Sequence, residues 1–182
     1  DGWVTYGIPV VSGLMYRDSI ELDEIKHPMH FDSMRIIAGT GGAGHFRGGP
    51  AAEVVYGPRK DPMTVVIPSD CQINPARGVR GGEDGTPAKQ WKVNANGNET
   101  SLPNVVQFEL LPGEYVRGLE AGGGGYGNPM KRDPARVMKD VERRWETPER
   151  ARTVYGVVLI GSVDGDDLAI DMAATAAARE GA

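Results

Sequence analysis

The 182-residue sequence holds one cysteine, Cys71, and only three histidines, His27, His30 and His45. A single cysteine forms no internal disulfide and fits a reducing cytoplasm. The thiol sits in Ser69-Asp70-Cys71-Gln72 with no base beside it, so a nucleophilic role is not expected. His27 and His30 flank Pro28, which disfavours a helix, and on a strand an i,i+3 pair points to opposite faces. With no third ligand close by, surface or packing roles are expected for the histidines rather than a structural zinc site. Long apolar runs are also missing, and none approaches the ~18 residues that span a bilayer. Positive charge is not in excess: 20 Lys and Arg stand against 25 Asp and Glu, a formal net charge of -5. Such a surface does not attract phosphate backbones, so no nucleic-acid partner is expected. The start, Asp1-Gly2-Trp3, has neither Met nor a basic-then-apolar leader, and a mature, trimmed or split cytoplasmic product is expected.

What the sequence has in abundance is glycine, 26 residues, roughly twice the usual ~7% share, together with 13 prolines. The glycines lack the three-residue period of collagen and are interrupted by apolar runs such as Val65-Val66-Ile67. So much Gly and Pro excludes a single long helix. The fold class expected is α+β: a strand-rich, turn-rich domain built of hairpins, followed by a carboxy-terminal helical segment. Residues 1–121 form the β-rich part and residues 122–182 the second glycine cluster and helical tail, packed as one unit.

Along the chain, Trp3 to Val11 reads as extended, and the alternation Ile20-Glu21-Leu22-Asp23 favours a strand over a helical turn. Ser33 to Ala38 predicts a strand running into Gly39. Ala51–Tyr56 and Met63–Ile67 read as a hairpin around Gly57 to Pro62, and Val105–Leu111 and Glu114–Leu119 as another around Pro112-Gly113. The polar stretch from Asn74 to Asn98 is long for a loop without structure and is expected to be functional or to cover a neighbour, with a short strand at Trp91 and Val93. Asp133-Pro134 and Thr147-Pro148-Glu149 are helix-start signals, with Val137, Met138 and Val141 on one face of the first helix. Val157 to Ile160 predicts a short buried strand. Asp166 or Asp167 is expected to open a final Ala-rich helix that runs through Arg179 to Gly181.

Several residues are candidates for chemistry. Gly42-Ala43-Gly44-His45-Phe46-Arg47-Gly48 loosely matches a phosphate cradle, but Pro50 and a β-like run follow where a helix should open. Tight backbone packing is the expected role. Gly122 to Gly125 with Tyr126-Gly127 is followed by a turn, and a sharp bend seating Tyr126 against the sheet is expected. Asp18, Glu21, Asp23 and Glu24 are candidate acid/base carboxylates in a run that usually is solvated. Arg17 and Arg47 are candidates to bind a carboxylate or phosphate, with Arg47 equally suited to donate to backbone carbonyls. No self-sufficient active site emerges from these residues.

Longer motifs carry a resemblance. Thr40-Gly41-Gly42-Ala43-Gly44-His45-Phe46-Arg47-Gly48-Gly49 resembles the "DSGGAGRFRGG" signature of the hydantoinase B/5-oxoprolinase family. Gly122 to Pro129, Arg132-Asp133-Pro134 and Val137 to Val141 are similar to its "GGGGYGDP…RDP…V…DV". Thr147 to Ala151 and Tyr155 to Val158 resemble its "S/T-x-E-x-A…YGVV", and Asp1-Gly2 with Glu21 to Pro28 its lead into the first cluster. Gly39-Thr40 stands where the family usually has Asp-Ser, and His45 where Arg is commoner.

The resemblance implies the carboxy-terminal portion of a hydantoinase B-type subunit in an ATP-dependent hetero-oligomer. A hydantoinase A-like partner binds ATP and Mg and activates the substrate carbonyl as a phosphorylated intermediate. The B-like part then opens a cyclic amide (hydantoin, oxoproline or a lactam) or, in the acetone and acetophenone carboxylases, carboxylates an enol phosphate. Metal and catalytic residues are implied upstream, so no catalytic residue, cofactor or metal ligand is assigned to this chain. The long Asn74 to Asn98 region and the Asp18 to Glu24 run are candidate subunit contacts. The alternatives are a ketone carboxylase subunit and a non-catalytic structural subunit.

Overall fold

The computed structural model describes residues 1–2 and 19–180. The extended reading of Trp3 to Val11, the candidates Arg17 and Asp18, and the Gly181 stop lie outside the described residues. The elements run α1 (Ile20–Lys26), β1 (Met29–Ile36), β2 (Ala52–Pro58), β3 (Met63–Pro68), β4 (Lys89–Val93), β5 (Glu99–Ser101), β6 (Val105–Leu110), β7 (Tyr115–Leu119), α2 (Pro134–Glu142), α3 (Pro148–Thr153), β8 (Leu159–Ile160), β9 (Ala169–Ile170) and α4 (Met172–Glu180). The fold is α+β, as expected, with α2, α3 and α4 gathered towards the carboxy terminus and α1 preceding the strands.

The strands pair differently from the expected hairpins. An antiparallel five-stranded sheet has the order β1-β2-β7-β4-β5, while β3 and β6 form a separate ribbon. The strand after Gly57 to Pro62 therefore leaves the sheet of its predecessor, and β7 turns from β6 to insert between β2 and β4. Strand spans depend on local side-chain alternation, whereas partners depend on which faces can bury one another. In β3, Val65 and Ile67 point inward and Thr64 and Val66 outward. They join Leu110 and Val116 in one core, with Tyr56, Leu102 and Phe108 packed against it.

Residues 20–26 form a helix, not a strand. Ser19 caps it by accepting from the Leu22 amide, and His27 N–H closes the last turn on Asp23 O. A four-residue alternation cannot separate period 2 from period 3.6, and the capping serine decides the matter. The two Pro-led helices start where expected: Asp133 accepts from Ala135 N–H and Thr147 from Arg150 N–H. Val137 and Val141 on α2 pack with Ala151, Tyr155, Val157 and Ala43 in a second core. The final helix opens five residues or so later than read, because Asp171 supplies the cap to Ala174 N–H. Asp167 instead holds Ser162 N–H in the preceding turn.

A cross-strand ionic ladder ties the large sheet. The side chain of Glu53 on β2 is 8% exposed and accepts from Arg35 of β1 at 2.8 Å and Arg117 of β7 at 3.0 Å. Arg117 also pairs with Glu99 at 2.7 Å and lies 3.8 Å over the Trp91 ring. Burial alone would raise the Glu53 carboxyl, but the two guanidinium hydrogen bonds outweigh it and hold it below its ordinary value of 4.5. The stability it contributes is therefore complete above that value and lost as pH falls through the lowered folded-state value. Glu53→Gln is expected to cost about 1–2 kcal/mol at neutral pH and to lose less stability than wild type on acidification below pH 4.5. Thermal unfolding against pH checks this; parallel curves would contradict it.

Candidate functional site

Three glycine-bearing segments, not two, come together. Residues 40–49, 76–86 and 122–127 lie side by side and exchange backbone hydrogen bonds. Gly42 N–H donates to Gly123 O at 2.8 Å and Gly123 N–H to Gly49 O at 2.9 Å. Gly122 N–H donates to Thr86 O, Thr86 N–H to Thr40 O, Glu83 N–H to Ala43 O and Gly125 N–H to Glu83 O. The third segment is part of the Asn74 to Asn98 stretch, and Gly78, Gly81, Gly82 and Gly85 are the signal that marks it. Side chains would not fit between the segments. A Cβ on Gly48 would lie 1.9 Å from Gly123 O, and one on Gly85 would lie 2.0 Å from Gly122 O. Because Gly42, Gly122, Gly123 and Gly125 already donate to carbonyls, those N–H groups are not free to cradle a phosphate. Backbone packing is the role both glycine clusters perform.

At one end of the bundle each segment presents a large side chain. Phe46 and Tyr126 exchange a pair of backbone hydrogen bonds, and Val79 donates to Gly125 O while accepting from Gly127 N–H. Phe46, Val79 and Tyr126 are 41%, 51% and 43% exposed. His45 meets Phe46 edge-on at 4.6 Å, and the Arg80 guanidinium lies 5.6 Å from the Tyr126 ring centre. Tyr126 is thus not seated against the sheet as expected; it stands out from the bundle, because the glycines around it pack through their backbone. Arg80 has a left-handed backbone (φ 53°), an uncommon conformation for a side-chain-bearing residue.

Beside the bundle, four charged groups close a compact ionic network. Arg132, 1% exposed, donates to Asp1 Oδ2 at 3.1 Å and to Asp140 Oδ2 at 2.7 Å, and also bonds Asp1 Oδ1 and His45 O. Arg47 Nε lies 3.0 Å from Asp140 Oδ2, and its Nη1 donates to Gly2 O and Gly48 O. Arg47 therefore satisfies backbone carbonyls, the second of its expected roles, and the carboxylate it meets is the chain's own Asp140. The network joins Asp1-Gly2, the Phe46-Arg47-Gly48 run, Arg132-Asp133 and Asp140-Val141 at one point. Arg132 and Asp140 were not candidates in the sequence reading; their place within long motifs was the available signal.

A cleft of about 580 Å³ opens over this network, lined by Asp1, Arg47, Arg132, Arg136, Lys139, Asp140, Arg143 and Trp145 among others. The Trp145 ring carries the Arg47 guanidinium at 4.7 Å and that of Arg143 at 5.0 Å.

Cys71 lines a neighbouring cleft beside Arg47, Gly48 and Gly123, whereas the carboxylates of α1 with His27 and His30 line neither cleft. Glu24 accepts from Phe31 N–H, His30 Nδ1 and Arg59, a clamp between α1 and β1. Its carboxyl is held below the ordinary range, chiefly by the Phe31 amide. Among the described residues, no group of three His, Cys, Asp or Glu side chains converges as a metal site would require. No helix among them is long and apolar enough to cross a membrane.

The model of the hydantoinase B/oxoprolinase family matches residues 1–129. The chain belongs to the hydantoinase B/oxoprolinase family. Among its hydantoinase B relatives, caprolactamase subunit beta of Pseudomonas jessenii is 32% identical over 173 residues, covering 93% of this chain and 30% of that protein. The acetone carboxylase alpha subunit of Xanthobacter autotrophicus is 26% identical over 196 residues, covering 88% of this chain and 25% of that subunit. The crystal structure of the ATP-dependent caprolactamase from Pseudomonas jessenii superposes with a TM-score of 0.71 at 30% identity, covering 89% of this chain and 28% of that one. The chain thus spans less than a third of the length of these relatives.

Proposed function

We propose that this chain is the carboxy-terminal polypeptide of a hydantoinase B-type subunit in an ATP-dependent hetero-oligomeric enzyme that hydrolyses a cyclic amide. In this reading ATP and Mg reside on a hydantoinase A-like partner, and any divalent metal resides in the upstream hydantoinase B-like polypeptide. The assembly works in the cytoplasm. The observation that carries the proposal is the likeness to caprolactamase subunit beta along 93% of the chain. An amide carbonyl is a poor electrophile, and phosphorylation supplies the driving force for its hydrolysis. The contribution of this chain is to build or brace one wall of the site. The glycine bundle suits that task because it holds Phe46, Val79 and Tyr126 on a backbone locked by mutual hydrogen bonds.

A ketone carboxylase is the second reading, favoured by the acetone carboxylase alpha subunit among the relatives, at lower identity. Product analysis separates the two. The assembled complex, given ATP, a cyclic amide, a simple ketone such as acetone and labelled bicarbonate, is expected to release the ring-opened acid without incorporating label. Label appearing in a ketone-derived acid, with no amide hydrolysis, would replace the first reading by the second.

A further inference from the structure

We propose that the cleft over the buried ion network binds a multiply charged oxyanion of the phosphate class, held by Arg136, Lys139 and Arg143. These three residues are spaced by three and four along α2 and its cap, so they line one helix face, and that face walls the cleft. Beneath them, the two guanidinium groups of Arg47 and Arg132 are balanced by the carboxylates of Asp1 and Asp140. Among the described residues the three rim cations carry little of this compensation. Among the described residues no carboxylate comes within 4.0 Å of Lys139 or Arg143, and Arg136 reaches only Asp1 Oδ2, at 3.7 Å. Among the described residues the cleft is thus lined by five cations, Arg47, Arg132, Arg136, Lys139 and Arg143, against two carboxylates, Asp1 and Asp140, in a protein whose net charge is -5.

Helix stabilisation accounts for Lys139 in the last turn and Arg143 at the cap of α2, but not for Arg136. Cations favour the last turn of a helix, yet Arg136 stands in the first turn of α2, where the helix dipole opposes it. It lines the cleft and reaches Asp1 Oδ2 at its edge. Arg143 is held in place by the Trp145 ring, 5.0 Å away, so part of the receptor is ordered before a ligand arrives. Guanidinium groups and an ammonium around a pocket of this size suit a phosphate or pyrophosphate group, whose several oxygens accept from different donors at once. The bridging carboxylates explain why Arg47 and Arg132 stay rigid rather than swing into the cleft.

The test is calorimetric titration of the full 182-residue chain with inorganic pyrophosphate, ADP and tricarballylate at low salt. Pyrophosphate is expected to bind once per chain and more tightly than tricarballylate, and to weaken as salt screens the site. ADP distinguishes a nucleotide as the source of the phosphate from a free or substrate-borne one: equal affinity for ADP and pyrophosphate places recognition in the phosphates alone. The variant Arg136→Gln/Lys139→Gln/Arg143→Gln is expected to bind pyrophosphate at least ten-fold more weakly. The control Lys60→Gln/Lys89→Gln/Arg152→Gln removes equal charge from exposed positions elsewhere and is expected to bind as wild type. All six positions are exposed, so both variants are expected to fold, which circular dichroism checks. Absence of saturable binding, equal losses in the two variants, or tighter binding of tricarballylate than of pyrophosphate would each overturn the proposal. None of these outcomes bears on the membership of a hydantoinase B-type assembly, which rests on other observations.

Discussion

Gly48→Ala is expected to lower the unfolding midpoint by roughly 6–12 °C, whereas Gly97→Ala lowers it by only roughly 2–4 °C. The contrast follows from what each new methyl group meets. At Gly48 the Cβ would lie 1.9 Å from Gly123 O and 2.3 Å from Gly123 C, both backbone atoms of a segment that is itself hydrogen-bonded on either side. Relief therefore requires the segments to part, breaking bonds such as Gly42 N–H to Gly123 O. Overpacking of this kind costs about 3 kcal/mol or more, at the upper end of the range for added methyl groups. At Gly97 nothing lies within 4 Å, and only the left-handed backbone (φ 80°) opposes a side chain. That strain costs about 1 kcal/mol. Differential scanning calorimetry of the two variants decides the point. Equal shifts would mean that the glycine segments do not pack as tightly as described.

Asp140→Ala is expected to destabilise the chain by about 3–5 kcal/mol, because it strips a shared carboxylate from two guanidinium groups that are 6% and 1% exposed. Adding Arg47→Met to that background is expected to recover part of the loss. The double variant leaves Arg132 paired with Asp1, a neutral remainder, whereas the single variant leaves two buried cations sharing one carboxylate. The cost of the two substitutions is thus less than additive, which a double-mutant cycle by urea unfolding measures directly. Strict additivity would show that Arg47 and Asp140 do not share one electrostatic site. The same coupling qualifies any use of Arg47 as a probe of catalysis, since its loss disturbs the fold first.

The sequence foretold those features that are set within a few residues. Asp133-Pro134 and Thr147-Pro148 each place a capping oxygen and a pre-formed φ side by side, and both helices begin there. Features decided between distant segments escaped. Nothing local to Met63–Pro68 says that its partner is Val105–Leu110 rather than the strand just before it. The turn-rich linkers around Gly57 to Pro62 and Pro112-Gly113 permit a hairpin without requiring one. At α1 the signals conflicted, and Ser19 outweighed four residues of alternation. The ion network was hidden for a related reason. Asp1, Arg47, Arg132 and Asp140 are scattered along the chain, and charge alone does not distinguish a buried cluster from a solvated surface. The glycine bundle was half visible, because two of its segments are dense in glycine while the third is diluted by Arg77, Arg80, Glu83 and Asp84.

ATP-dependent turnover of a cyclic amide, measured for the assembled complex and for the isolated chain in parallel, tests the central claim most directly. Lactam, hydantoin and 5-oxoproline are the substrates to offer, with ring-opened product quantified in the presence and absence of ATP. The account predicts product only from the complex and only with ATP, and none from the isolated chain. Robust turnover by the isolated chain, or by the complex without ATP, would contradict it.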